Sequence, residues 1–343
     1  MKSTNYESRP VLITGGCGFI GTNLVKYLSE RHCYIRILDN ATSSSRIWDD
    51  CRALHSKQKT QNLNLETLAP PFSEVDLVAG DIRDRAALDK ATAGISAVIH
   101  LAALTSVVDS LEKPEESWDI NVNGTLNLLE SCRRNGVGKF ILASSNAVLG
   151  DQIPPVDESK IAHPLSPYGA SKLACEALCS TYYRSFGINT VCLRFANCYG
   201  PYSEHKSSAI TMFIDWAMQG QPIIIYGDGK QTRDFVHTDD ICQAIHLSLA
   251  SADSIAGEIL QVASGVETSV NELVEMIKEI MVNTLPPVDS QLAVIYKPRR
   301  MGEIERNYCD ISKAKSMLGF RPRMKLREGL NELCQLYVAG NSQ

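Results

Sequence analysis

Thr14-Gly15-Gly16-Cys17-Gly18-Phe19-Ile20-Gly21 stands between a short apolar run, Val11 to Thr14, and a stretch from Thr22 to Arg31 with helical periodicity. An apolar run of strand length that ends in glycines at 15, 18 and 21 and opens into a helix predicts a strand–turn–helix unit. The glycines allow a tight turn and the close approach of another group. The first helical turn then presents unbonded N–H groups and the positive end of its dipole, which suits a diphosphate. Working outward, the next strand, Tyr34–Leu38, closes on Asp39, 18 residues beyond Gly21. A carboxylate there accepts hydrogen bonds from ribose hydroxyls and repels a 2′-phosphate, so Asp39-Asn40 favours NAD over NADP. Arg36 and Arg46 are the nearby cations that could oppose this preference, and neither directly follows the acid. Asp81-Ile82, after a third strand, is expected beside the adenine.

The alternation continues along the first half. Val75–Ala79, Ala97–Ala102, Phe140–Ser144 and Thr190–Phe195 read as strands; Arg85–Thr92, Val122–Arg134 and Tyr168–Ser185 read as helices. Strands apolar on both faces that alternate with helices predict an α/β fold with a doubly wound parallel sheet of Rossmann type. In the less regular second half, helices are expected at Ala209–Gln219, Thr238–Leu249 and Val270–Val282. Ile223–Tyr226 is a strand, and Ile259–Ala263 a strand returning to the main sheet. The expected division is an NAD-binding unit from 1–197 plus about 234–266, and a smaller, discontinuous C-terminal substrate lobe from about 198–233 and 267–343. The polar segment Ser43–Pro71 breaks the rhythm and is expected to be an excursion, partly helical around Ser45–Leu54.

A net charge of −5 with interspersed signs gives no basis for a nucleic-acid or anionic-membrane partner. No apolar run approaches the roughly 18 residues that span a bilayer. Met1 to Pro10 lacks the apolar core of a signal peptide, so a cytoplasmic location is expected. The 11 cysteines are odd in number and form no CxxC pair. Cys175 and Cys179 share a helix face, but no nearby histidine or second cysteine pair completes a tetrahedral site. Reduced thiols and no metal are expected.

The chemistry concentrates in Tyr168-Gly169-Ala170-Ser171-Lys172. Tyr168 and Lys172, four apart, share a helix face, so the ammonium is expected near the phenol, where it would lower the tyrosine pKa and make it a base. Lys172 can also hold the nicotinamide ribose. Ser144-Ser145-Asn146 ends the strand beginning at Phe140, at the carboxyl edge where open α/β sheets place ligands.

The chain resembles an extended short-chain dehydrogenase/reductase of the NAD-dependent sugar-nucleotide epimerase/dehydratase family. The resemblance runs from about Val11 to Leu330 and rests on TGGCGFIG (14–21), LDN (38–40), GDIRD (80–84), HLAA (100–103), NVNGTLNLLE (121–130), SSNAVLG (144–150), SPYGASK (166–172), LRFANCYGP (193–201) and YGDGKQTRDFVHTDD (226–240). It implies Ser145, Tyr168 and Lys172 as the catalytic set. For the cofactor, NAD, it implies Gly15, Gly18, Phe19, Ile20, Gly21, Asp39, Asn40, Asp81, Ile82, Leu101, Ala102, Ala103, Asn121 and Ser144 beside Tyr168 and Lys172. The partners it implies are a UDP-sugar and a second copy of the chain, docked through helices near 110–130 and 168–185.

Family members that eliminate water carry an Asp-Glu pair in the strand-end motif; aligned on Gly150, this chain has Asn146-Ala147 there. An amide and a methyl cannot carry the proton transfers of elimination, so 4-epimerisation through a transient 4-keto sugar is the expected reaction. Dehydration and decarboxylation through the same intermediate are the alternatives. Leu149, in place of the usual tyrosine, is expected to reshape the floor of the sugar pocket. By resemblance, Asn197, Arg233 and Arg300 contact the diphosphate, Ile224 and Tyr226 flank the uracil, and Ser106, Ser145, Asn146 and Asn307 face the sugar. The intact Tyr-Lys pair argues against a non-catalytic NAD sensor, and Asp39 against a reductase fed by NADPH.

Overall fold

Seven parallel strands form the central sheet in the order β3-β2-β1-β4-β5-β6-β11. They are β1 (Val11–Thr14), β2 (Ile35–Asp39), β3 (Val75–Ala79), β4 (Ala97–His100), β5 (Lys139–Ser145), β6 (Asn189–Phe195) and β11 (Ile259–Val262). The computed structural model describes residues 10–31, 33–42, 75–204, 206–251, 253–284, 292–299 and 304–340. Arg46, Arg300 and the proposed helical excursion at 45–54 lie outside these residues.

The alternation of side chains across each strand explains the covering on both faces. From β1, Val11 and Ile13 enter one core and Leu12 the other; from β5, Ile141 enters the first and Phe140 and Leu142 the second. The first core is closed by α1 (Phe19–Ser29), α8 (Thr238–Ala250) and α10 (Ser312–Leu318). The second is closed by α2 (Arg85–Thr92), α5 (Gly124–Asn135) and α6 (Pro167–Phe186). Strand order reverses between β1 and β4, whose ends are in register at Thr14 and His100, and this opens a crevice above them.

A third core joins α7 (Ala209–Met218), α9 (Val270–Thr284), α11 (Leu326–Gly340) and β8 (Ile223–Tyr226). Three two-stranded ribbons link it to the sheet: β7 (Asn197–Tyr199) with β10 (Phe235–His237), β9 (Thr232–Arg233) with β12 (Thr268–Ser269), and β8 with β13 (Val294–Lys297). Two short helices not expected from the sequence, α3 (Val107–Glu112) and α4 (Pro114–Trp118), follow β4. The helix expected from Val122 begins earlier, with a π-turn over Asp119–Asn123 that runs into α5. No helix among the described residues is long and apolar enough to cross a membrane.

Candidate active site

The crevice at the strand reversal holds a cavity of about 1830 Å³. Its floor demands glycine. Gly15 has φ of +71°, and a Cβ there would stand 2.7 Å from the Ala102 amide nitrogen; a Cβ on Gly21 would stand 2.2 Å from the Gly15 carbonyl oxygen. The loop after β4 therefore lies directly on the glycine turn. A relay fixes it: the Ala102 N–H donates to Thr14 Oγ1 (3.3 Å), which donates to His100 Nδ1 (2.7 Å). His100 Nε2–H donates to Thr125 Oγ1 (2.9 Å), and Thr125 donates to the Asn121 carbonyl (2.5 Å). Burial holds His100 neutral, down to about 3.

Asp39 is buried, accepting from the Cys17 N–H at 3.0 Å and the Ala41 N–H at 2.9 Å. It organises the turn while its remaining lone pairs face the cavity. Asn40 Nδ2 donates to Asp81 (3.2 Å), and Arg83 grips Asp81 with two bonds, at 2.9 and 2.8 Å. That grip holds the Asp81 carboxyl down to about 2. Arg36 points elsewhere, pairing with Asp76 and with the Ala91 and Ala93 carbonyls, so it does not offer its charge to a 2′-phosphate. Gly15, Gly18, Phe19, Ile20, Gly21, Asp39, Asn40, Asp81, Ile82, Leu101, Ala102 and Ala103 all border the one cavity.

Two residues expected at the cofactor also hold the site together. Asn121 spends its amide on the Leu104 N–H and carbonyl and on Ser171 Oγ, clamping the loop after β4 to α6. The Ser144 hydroxyl donates to Glu176 at 2.6 Å, and Glu176 in turn accepts from Arg194 Nε and Nη2 at 2.8 and 2.7 Å. Ser144 also borders the cavity, and Asn121 does not.

The reacting groups meet over the end of β5. Ser166 caps α6 by accepting from the Gly169 N–H, and Pro167 starts the helix. A Cβ on Gly169 would lie 2.4 Å from the Ala147 carbonyl oxygen, so only glycine lets α6 close onto the turn that carries Ser145. The Ser145 hydroxyl, which accepts from the Ala147 N–H at 3.1 Å, stands next to the buried Tyr168 phenol and favours its ionisation. Lys172 Nζ donates to the Ala143 carbonyl at 3.0 Å. The expectation that Lys172 depresses Tyr168 is not met: burial pushes the phenol up to about 12, and Ser145 only partly offsets it. Burial also lowers Lys172.

The sugar-side residues are placed less uniformly. Asn146 is buried and donates to Cys309 Sγ at 2.7 Å, leaving its Oδ1 without a hydrogen-bond partner among the described residues. Asn307 Oδ1 is buried and similarly without a partner. Cys309, which takes the Asn146 amide, donates its N–H to Asp234, and Asp234 also accepts from Ser264 and Gly265. Arg233 donates to the Thr232 and Ile304 carbonyls, and Asn197 Nδ2 to the Asp234 carbonyl. Ile224 and Tyr226 share one face of β8. Ser106 caps α3 by accepting from the Asp109 N–H. None of these seven borders the cavity that holds Tyr168. Leu149 is also corrected: it is buried in the first core rather than forming a pocket floor.

The profile of the NAD dependent epimerase/dehydratase family matches residues 11–263. The chain belongs to that family. It is 38% identical over 328 residues to a putative UDP-glucose 4-epimerase of Methanocaldococcus jannaschii, covering 94% of this chain and 96% of that one. It is 33% identical to a UDP-glucuronate 4-epimerase of Thermodesulfobacterium geofontis, with 93% of each chain covered. Among solved structures, the UDP-N-acetylglucosamine 4-epimerase of Methanobrevibacter ruminantium, in complex with UDP-N-acetylmuramic acid, superposes with a TM-score of 0.83 at 31% identity, over 97% of this chain and 99% of that one.

The family's NAD fits the observed cradle. The buried Thr22 hydroxyl, in the first turn of α1, has no hydrogen-bond partner among the described residues and borders the cavity where a diphosphate would lie. Sequence reasoning missed Thr22, Arg83 and Lys206. Thr22 adjoins the last glycine and was within reach of the motif; the other two read as ordinary surface charges until the fold brings them to the cavity.

Proposed function

We propose that the chain is a UDP-sugar 4-epimerase that works through a transient 4-keto sugar. The observation that carries this reading is the pairing of Ser145 with Tyr168 over the glycine cradle, next to an Asn146-Ala147 pair that holds no acid for eliminating water. When bound, NAD supplies a reversible hydride acceptor at C4 and a positive charge beside the phenol. Tyr168 Oη takes the proton of the sugar 4-hydroxyl and later returns it to the ketone oxygen. Ser145 donates to that oxygen and holds it at the phenol. Lys172 leaves the Ala143 carbonyl for the ribose and supports the phenolate. Between the two half-reactions the keto sugar turns about its bond to the diphosphate, presenting its other face.

Asn197 and Arg233, with Arg300, are assigned to the diphosphate, Ile224 and Tyr226 to the uracil, and Ser106, Asn146 and Asn307 to the sugar. The two partnerless amide oxygens support the sugar assignment, because a buried acceptor calls for a donor such as a hydroxyl. The division into an NAD-binding unit and a discontinuous substrate lobe is kept as part of this reading. A homodimer is expected through α3 to α6, where Val108, Leu111, Trp118 and Phe186 are exposed. A cytoplasmic location is kept with it. Incubating the protein with UDP-glucose, UDP-N-acetylglucosamine and UDP-glucuronic acid, without added reductant, tests the reaction by NMR. A 4-epimer at unchanged mass supports it; no 4-epimer from any of the three, with water lost or carbon dioxide lost from UDP-glucuronic acid, overturns it. Light scattering tests the dimer.

A further inference from the structure

Lys206 stands in the loop between β7 and α7 and borders the same cavity as Ser145 and Tyr168. Its ammonium donates to Thr105 Oγ1 at 2.9 Å and lies 6.0 Å from the centre of the Phe19 ring. Thr105 follows β4, so the contact carries the ammonium across the mouth of the crevice. Cys198 of β7 borders the cavity together with Lys206 and Tyr168, so the ammonium and the phenol face the same space.

Other cations withdrawn from water in this chain are compensated. Arg194 has Glu176, and Lys139 and Lys172 have backbone carbonyls. Lys206 is half-buried, and burial lowers its pKa. Among the described residues no carboxylate lies within 4 Å of it, and one threonine hydroxyl takes one of its three donors. A partly desolvated ammonium with two unused donors calls for an oxyanion.

The 4-epimerase reading, on which this inference rests, puts C4 at Tyr168 and the diphosphate toward Arg233. A group on C5 then falls beside C4 at the reacting end. We propose that Lys206 binds a carboxylate at C6, so that the preferred substrate is a nucleotide-linked uronic acid.

The ion pair has a second consequence. Once C4 is a ketone, the C6 carboxylate is β to it. Losing carbon dioxide breaks the C5–C6 bond, leaves the electron pair on C5 as an enolate, and requires a proton to C5. An ammonium paired to the carboxylate stabilises the anion and not the neutral carbon dioxide, so Lys206 also retains the carbon.

The test compares wild type, Lys206→Met and Lys206→Arg, each checked for bound NAD by absorbance. It measures kcat/KM for UDP-glucuronic acid and UDP-glucose, product mass, and calorimetric Kd for both ligands. Wild type is expected to prefer UDP-glucuronic acid. In Lys206→Met that preference falls by about 10- to 100-fold, mainly through KM, and Kd follows. Lys206→Arg recovers part of it, and a product lighter by carbon dioxide increases in the Met variant. An unmoved preference with 4-epimers still forming overturns the assignment of Lys206 and leaves the epimerase standing. If no 4-epimer forms from either sugar, the epimerase reading fails, and the two Kd values alone decide the contact.

Discussion

The cofactor edge and the sugar edge of the crevice treat their polar side chains differently. On the cofactor edge Asp39, His100, Asn121 and Ser144 are each committed to protein donors or acceptors. Thr22, at the diphosphate position, is the exception. Among the residues assigned to the sugar, Asn146 Oδ1 and Asn307 Oδ1 are buried without a partner among the described residues, and Lys206, at the cavity, makes one side-chain hydrogen bond there. An edge that holds one unchanging ligand can be wired in advance. An edge that meets both faces of a turning sugar needs groups that bond only when the sugar arrives. Substitutions on the wired edge are therefore expected to cost stability and cofactor, and those on the open edge selectivity.

The largest effect lies where the edges meet. Tyr168→Phe removes the proton acceptor assigned to C4, so turnover is expected to fall about 10²- to 10⁴-fold while bound NAD, read by absorbance, stays unchanged. Loss of NAD together with activity would put Tyr168 on the wired edge instead. Behind the site, Glu176→Ala leaves Arg194 buried without its carboxylate, and a urea titration should show a loss of about 3–5 kcal/mol.

Gly21→Ala forces a methyl group against the Gly15 carbonyl. It should cost about 1–3 kcal/mol and release NAD on gel filtration. A variant that keeps NAD at full stoichiometry would mean that the turn can yield.

His100 gives the wired edge a pH signature. Its folded value is held well below the unfolded 6.5, so the unfolded chain binds the extra proton. Stability is complete above about pH 6.5 and falls as pH drops toward 3, by about 2 kcal/mol between 6.5 and 5. In His100→Gln the urea midpoint should depend on pH less steeply, by one proton, over that range. On the open edge, Asn307→Tyr should lower the UDP-N-acetylglucosamine to UDP-glucose ratio of kcat/KM by roughly tenfold, with the melting temperature little changed. An unmoved ratio would remove Asn307 from the sugar pocket.

The wired edge was also the legible one, because its demands are local. A glycine that must accept φ of +71° or a 2.2 Å approach leaves a mark in sequence, and so does an acid closing a strand. The bonds that Asn121 and Ser144 make were not legible, because which way a side chain turns depends on partners 50 and 32 residues away, Ser171 and Glu176. The small ribbons of the second half were partly legible. Ile223–Tyr226 was found as a strand, but its partner Val294–Lys297 was not, since a parallel pairing 71 residues apart has no local turn to announce it. Leu149 was assigned to a pocket because its place in the motif holds a tyrosine in relatives; its apolar side chain follows the core.

The central claim is that C4 is oxidised and reduced again within one closed cycle. UDP-glucose carrying deuterium at C4 tests it directly, in the holoprotein without added cofactor. The account predicts UDP-galactose with deuterium still at C4, at unchanged mass, and none in Tyr168→Phe. Deuterium lost to solvent, moved to C6 or accompanied by loss of 18 mass units would contradict it.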